Sequence, residues 1–366
     1  MASIQSLFLS TLVLAGGALA QQLRAPEEFR LLTYDSHGDP TDPALAKCKD
    51  KFNQKTMVTS TLRLGDGPPC SFSFFSDDGQ AAISEHCLVE CLKSGAGKSQ
   101  RPIPGPLKEI ALGTAKEPAV GYQVDPDKLD EVRCPIKRGG KDTDFEASIV
   151  FLGSLKFPED RTIVGVEGLG QGFRGWGTGD DFAIVKIHRV LREHKTEPPV
   201  PFFSWPPHCA EISTETPDPA GELLSVSYPY LVVPREEASL SKRPFFTVGR
   251  MGKTADVPDD RKRDMASLGN NVFVSTLDGE PAASGAGVFD KNCKLIAMTS
   301  ALLKTEKQLT YIKNTTVLIP MKYIMERVGP VREQQMRSGC SPVFQRAKVG
   351  ESRTIDKGGE KSRFRR

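Results

Sequence analysis

Cys70-Ser71-Phe72-Ser73-Phe74-Phe75-Ser76-Asp77-Asp78-Gly79-Gln80-Ala81-Ala82-Ile83-Ser84-Glu85-His86-Cys87-Leu88 is the stretch on which the reading of this chain turns. Ser71–Phe75 and Gln80–Ser84 have the aromatic and small-residue composition of short strands, and Asp77-Asp78-Gly79 between them is a turn sequence. The stretch therefore predicts a hairpin led by a cysteine, whose returning strand delivers His86 with a second cysteine beside it.

Working outward, similar short segments recur: Met57–Leu64, Ala147–Leu152, Phe182–Ile187, Leu223–Val226, Phe245–Val248, Val272–Thr276, Gly287–Asp290, Leu295–Thr299 and Thr316–Ile319. Each is rich in β-branched or aromatic residues and bounded by Gly, Pro, Asp or Ser. Helical periodicity is confined to Ser84–Leu92 and Met321–Val328. Many short strands separated by turns predict an all-β sandwich or pair of barrels. Lys93–Asp144, rich in Gly, Pro and Lys, and the Pro-dense Glu197–Pro219 read as surface insertions. Pro26, Pro40 and Pro43 make residues 21–55 an irregular N-terminal extension, and 341–366 is a basic tail with almost no apolar residues, expected to be disordered.

Of 366 residues, 38% are hydrophobic and 26% charged, the balance of a folded protein, and the net charge of +3 gives no reason to expect nucleic acid or an anionic membrane as partner. Residues 1–20 carry the apolar run Leu7–Ala15 followed by the small residues Ala18-Leu19-Ala20, the layout of a secretory signal peptide, although its start lacks Lys or Arg. The run is shorter than the roughly 20 apolar residues of a membrane span. Eight cysteines (48, 70, 87, 91, 134, 209, 293, 340) follow that leader, an even count that predicts disulfides in a secreted, extracellular protein. Asn314-Thr315-Thr316 is a glycosylation sequon.

Hydrolysis of a peptide bond by serine requires an imidazole to take the hydroxyl proton, a carboxylate to orient the imidazole, and N–H donors facing the oxyanion. His86 is one candidate. Gly179-Asp180-Asp181-Phe182-Ala183-Ile184-Val185-Lys186 opens a strand with a carboxylate. Glu280-Pro281-Ala282-Ala283-Ser284-Gly285-Ala286-Gly287-Val288-Phe289-Asp290 places a serine in a Gly-containing turn ahead of another strand. Together these segments resemble the trypsin-like serine protease family: its TAAHC-like sequence at His86, its D-I-A-L-L-K-L strand at Asp181, and its G-D-S-G-G-P-V-F-D loop at Ser284. The order His, Asp, Ser is that of the chymotrypsin-like fold. The resemblance covers about residues 56–330 and implies two antiparallel six-stranded β-barrels with a short C-terminal helix.

By that resemblance His86, Asp181 and Ser284 form the catalytic triad, with Asp181 rather than Asp180 in register. The N–H groups of Ala282 and Ser284 form the oxyanion hole, and Cys70 pairs with Cys87. Asp278, six residues before Ser284, takes the place of the carboxylate that selects Lys or Arg. Ala282 stands where the family has glycine, so a left-handed backbone there costs on the order of 1 kcal/mol. Ala283 stands where the family has Asp, the group that receives a newly cleaved N-terminus, so that activation step is not expected. Arg161-Thr162-Ile163-Val164-Gly165 mimics an activation sequence but lies after His86.

Several motifs are decoys. Gly95-Ala96-Gly97-Lys98-Ser99 lacks the leading glycine of a phosphate loop, and Gly170-Gln171-Gly172-Phe173-Arg174-Gly175 neither follows a clear strand nor opens a helix. His86, Cys87 and Cys91 have no second Cys/His pair at metal-site spacing, so no metal and no cofactor are expected. The expectation is a secreted, monomeric serine endopeptidase acting on protein or peptide substrates. Its rival is a catalytically silent homologue that binds or regulates.

Overall fold

The computed structural model describes residues 30–88, 107–124, 133–153, 181–190, 203–228, 243–252, 272–304, 311–328 and 340, less a few positions inside those spans. The signal peptide, the basic tail, Asp180, Asp278, Cys91 and both glycine-rich decoys lie outside the described residues.

The strands are β1 (Arg30–Leu31), β2 (Thr59–Leu64), β3 (Pro69–Phe74), β4 (Gln80–Ile83), β5 (Leu107–Thr114), β6 (Glu117–Val124), β7 (Arg133–Arg138), β8 (Lys141–Leu152), β9 (Ala183–Arg189), β10 (Glu222–Ser227), β11 (Phe245–Arg250), β12 (Phe273–Ser275), β13 (Gly287–Phe289), β14 (Leu295–Lys304) and β15 (Tyr311–Pro320). A helix, Met321–Val328, follows β15.

In the first sheet β8-β7-β2-β3-β4-β9 run in that order and β9 pairs back onto β8, which closes a six-stranded antiparallel barrel. The hairpin β5–β6 extends from β8. In the second sheet the order is β1-β11-β10-β13-β14-β15-β12. A short seam joins the end of β11 to β12: Met251, just past β11, bridges Ser275 of β12, the Thr276 N–H donates to the Arg250 carbonyl at 2.9 Å, and the Gly252 N–H to the Val274 carbonyl at 2.8 Å. The architecture is a closed six-stranded barrel beside a half-barrel sheet, with a short closing helix, consistent with the chymotrypsin-like fold that the sequence predicts.

Period-two alternation explains how both faces of these strands are buried. Ala81 and Ile83 of β4 and Ala183, Val185 and Ile187 of β9 fill the first barrel. Their neighbours Ala82 and Ile184 point the other way, into a cluster that also takes Val226, Phe289, Met298 and Ile319 from the second barrel. That shared cluster locks the barrels together and lets loops from both meet above it.

Four local differences from the sequence reading have physical causes. Residues 30–58 are ordered: Pro43 opens a 3-10 helix capped by Asp42, and Leu45, Phe52 and Val58 enter the shared core. Phe52 packs edge-on against Phe289 with ring centroids 5.1 Å apart, and Cys48 is disulfide-bonded to Cys293. The segment Lys93–Asp144 is not only insertion, since β7 and the start of β8 form barrel wall. Pro135 and flanking charges hide an inward face made by Cys134 and Ile136. Within Glu197–Pro219, Phe203 is buried against Phe72, Phe74 and Phe145. Finally, the helix expected over Ser84–Leu92 is a single 3-10 turn, Glu85–Leu88, within the described residues, with Cys87 held to Cys70 of β3 by a disulfide.

Candidate active site

The site lies where the end of β4, the start of β9 and the loop before β13 meet. Register fixes the first two. Ile83 pairs with Ala183, so the residues after one strand face those before the other. His86 and Asp181 are thereby neighbours although 95 residues apart in the chain.

The His86 Nδ1 lies 2.9 Å from Asp181 Oδ2 and 3.2 Å from Oδ1, and the His86 backbone N–H donates to Oδ1 at 3.1 Å. Ser300 on β14 donates its hydroxyl to Oδ2 at 2.6 Å. The pair is enclosed, with His86 6% and Asp181 2% exposed. Donors on both oxygens fix the Asp181 carboxylate in one orientation. An imidazole that donates through Nδ1 to this carboxylate has its lone pair on Nε2. The disulfide between Cys70 and Cys87 fastens the turn that bears His86 to β3, the pairing implied by the resemblance. The His86 ring and both sulfurs lie close enough for a metal, but the sulfurs are consumed in their bond and offer no thiolate.

The loop carrying Ser284 is tied to the same strand. The Ser71 N–H donates to the Ser284 carbonyl at 3.0 Å, and the Ser71 hydroxyl donates to the Ala282 carbonyl at 2.8 Å. The Gly285 N–H donates to the Thr299 carbonyl at 2.6 Å, and the Ser84 hydroxyl donates to that carbonyl at 3.1 Å. Gly285 has φ +84°, and a Cβ there would lie 2.3 Å from the Ser71 carbonyl oxygen and 3.2 Å from the Ser84 nitrogen. Only glycine lets the backbone approach β3 and the His86 turn this closely. Ser284 itself is half-buried.

Ala282 has φ +77°. The loop therefore keeps a left-handed residue at this position although the side chain opposes it. Among the described residues, neither the Ala282 N–H nor the Ser284 N–H donates to another protein group. Ala283 is buried and apolar, with no charge to receive an amino terminus.

Asn314 lies on β15 by its backbone. Two site residues escape sequence reading, Ser300 and Ser71. Ser300 falls one residue past the strand expected at Leu295–Thr299, and Ser71 sits inside a strand as an ordinary small polar residue. Nothing in the local sequence of either marks a partner 119 or 211 positions away.

No protein-family model matches the chain, and no curated protein matches it. Among solved structures it is similar to the serine endoprotease from Yersinia pestis, with 12% identity and a TM-score of 0.34 over 73% of this chain and 60% of that one. It is also similar to the HtrA-type protease AlgW with tripeptide, at 11% identity and a TM-score of 0.35 over 74% and 58%. A scabies mite inactivated protease paralogue gives 11% identity and a TM-score of 0.38 over 73% and 88%. The chain thus spans about three fifths of the first two proteins. Likenesses this distant assign neither activity nor substrate.

Proposed function

We propose that this chain is a secreted serine endopeptidase acting on protein or peptide substrates. The observation that carries the reading is the enclosed His86–Asp181 pair, bonded through Nδ1, at a turn against which the Ser284 loop is clamped.

In this mechanism the Ser284 hydroxyl oxygen attacks the scissile carbonyl carbon while His86 Nε2 takes its proton. Asp181 stays ionised and stabilises the imidazolium without accepting the proton. The carbonyl oxygen becomes an oxyanion held by the N–H groups of Ala282 and Ser284, worth roughly 10²–10³ in rate per donor. Collapse of the tetrahedral intermediate breaks the C–N bond, and the imidazolium proton leaves with the amine. Water then attacks the acyl-enzyme by the same route and restores Ser284. The chemistry requires no cofactor.

Export rests on the signal-peptide layout of residues 1–20 and is supported by the disulfides Cys48–Cys293, Cys70–Cys87 and Cys209–Cys340. No helix among the described residues is long and apolar enough to cross a membrane. Asn314 would carry the glycan, and Asp278 would favour Lys or Arg before the cleaved bond.

The test is covalent labelling by a fluorophosphonate probe, with Ser284→Ala as control. Labelling that depends on Ser284 upholds the enzyme. Folded protein that stays unlabelled hands the case to the silent, binding homologue, the reading favoured by alanine at 282 and 283. A panel of chromogenic peptides then reads the Asp278 expectation, which fails if Arg and Lys are not preferred.

A further inference from the structure

Ser71 is fully buried, and both its backbone and its side chain are engaged across the junction of the two barrels. Its N–H holds the Ser284 carbonyl at 3.0 Å, and its hydroxyl donates to the Ala282 carbonyl at 2.8 Å. The same hydroxyl oxygen accepts the Tyr228 N–H at 3.1 Å, just past the end of β10. A hydroxyl has one proton to give, so acceptance from Tyr228 leaves it aimed at Ala282. We infer that Ser71 is a positioning residue that keeps Ala282 in its left-handed conformation, standing in for the glycine this loop lacks. The inference rests on the proteolytic reading above, in which the Ala282 N–H serves the oxyanion.

At φ +77° an alanine is strained and relaxes if it can. Relaxation to negative φ turns the peptide that follows Ala282 and swings its carbonyl away from β3. The Ser71 hydroxyl opposes that swing, and its N–H pins the chain two residues later, so the turn cannot slide as a unit. Burial removes water as a competing donor for the carbonyl, which makes loss of the clamp costly. The Ser71–Ala282 bond thus acts on the oxyanion through the backbone conformation of Ala282, and Ser71 itself touches no reacting atom.

The clamp predicts coupling between two sites, which ordinary stabilisation does not. Wild type, Ser71→Ala, Ala282→Gly and the double variant are compared by kcat and KM on one chromogenic peptide, and by crystallographic φ at residue 282. Ser71→Ala lowers kcat about tenfold with KM little changed, the scale of one buried hydrogen bond, felt through a displaced Ala282 N–H. In the Ala282→Gly background the same change costs about twofold or less, because glycine holds the left-handed state unaided. Equal losses in both backgrounds, or a Ser71→Ala structure with Ala282 still near its original φ, overturn the inference. If the wild type proves inactive, the proteolytic reading fails on its own and the crystallographic comparison still decides the clamp. If Ser71→Ala does not fold alone, two comparisons replace it: the double variant against Ala282→Gly, and the hydroxyl-keeping Ser71→Thr against wild type. Intact turnover in both upholds the clamp, and a folded Ser71→Thr without turnover overturns it.

Discussion

Replacing Ala282 with glycine should stabilise the protein, against the usual direction for such a change. At ordinary backbone angles Ala→Gly releases conformational freedom in the unfolded chain and costs about 0.4–1 kcal/mol. Ala282, however, sits at φ +77°, where an L-residue pays roughly 1–2 kcal/mol that glycine does not. The difference leaves a net gain of about 0.5–1 kcal/mol, or a Tm increase of roughly 1–4 °C for a chain of this size. The neighbouring Ala283 is the control, because it is buried and outside the left-handed region, so glycine there should lower stability by about 1 kcal/mol. Urea denaturation of both variants beside wild type reads the two signs directly, with equal m-values guarding against a change in the unfolded ensemble. Under the proteolytic reading, Ala282→Gly also labels with the fluorophosphonate at least as fast as wild type. A fall in midpoint for Ala282→Gly matching that of Ala283→Gly refutes the reasoning, since it means the loop does not hold its left-handed turn in solution.

Gly285→Ala places a methyl group 2.3 Å from the Ser71 carbonyl oxygen, so the loop must retreat from β3; a misplacement of about 1 Å costs on the order of 10²-fold in Ser284 labelling rate. Wild-type labelling by folded Gly285→Ala contradicts this. Ser300→Ala leaves the buried Asp181 carboxylate one donor short, a loss of about 1.5–3 kcal/mol in unfolding free energy at neutral pH. A midpoint within error of wild type counts against the bond. Burial pushes the Tyr228 phenol well above its ordinary range, and the same cause, with Tyr228 beside it, raises Tyr34. The unfolded chain then gives up these protons near pH 10 while the folded protein keeps them. Stability contributed by each group is full below that pH and falls by about 1.4 kcal/mol per pH unit as the pH rises toward the folded value. Denaturant midpoints followed into alkali should show this slope, and Tyr228→Phe should reduce it. An unchanged slope in the variant assigns the alkaline loss elsewhere.

The architecture is legible in the sequence to the extent that strands keep both faces apolar between turn residues. β9 and β13 are such cases, and Ile184 and Phe289 announce themselves beside residues of the opposite face. β7 is not legible, because a strand that presents two inward side chains around Pro135 has too little pattern to register. The N-terminal segment is hidden for another reason. Leu45 and Phe52 are isolated apolar residues in polar sequence, and only a core that neither can form alone makes them buried. At the site, His86, Asp181 and Ser284 stand in local settings that carry information, a turn after a strand or a strand's first residue. Ser71 and Ser300 carry none, since their roles consist of partners supplied by the fold.

The dipeptide Cys70-Ser71 accounts for how the site is held together. Cys70 reaches through its disulfide to Cys87, and so fixes the turn of His86. Ser71, the next residue, reaches the opposite way to the carbonyls of Ala282 and Ser284. Alternation along β3 sends consecutive side chains to opposite faces, so one strand can hold the His86 turn with one residue and the Ser284 loop with the next. An anchor of this kind needs no ion pair at position 283, and Ala283 carries no charge to neutralise. The N-terminal segment is secured by Cys48–Cys293 and by Phe52 against Phe289 on the strand that follows the Ser284 loop. The order of the loop is therefore set by contacts that form when the barrels close and the disulfides oxidise.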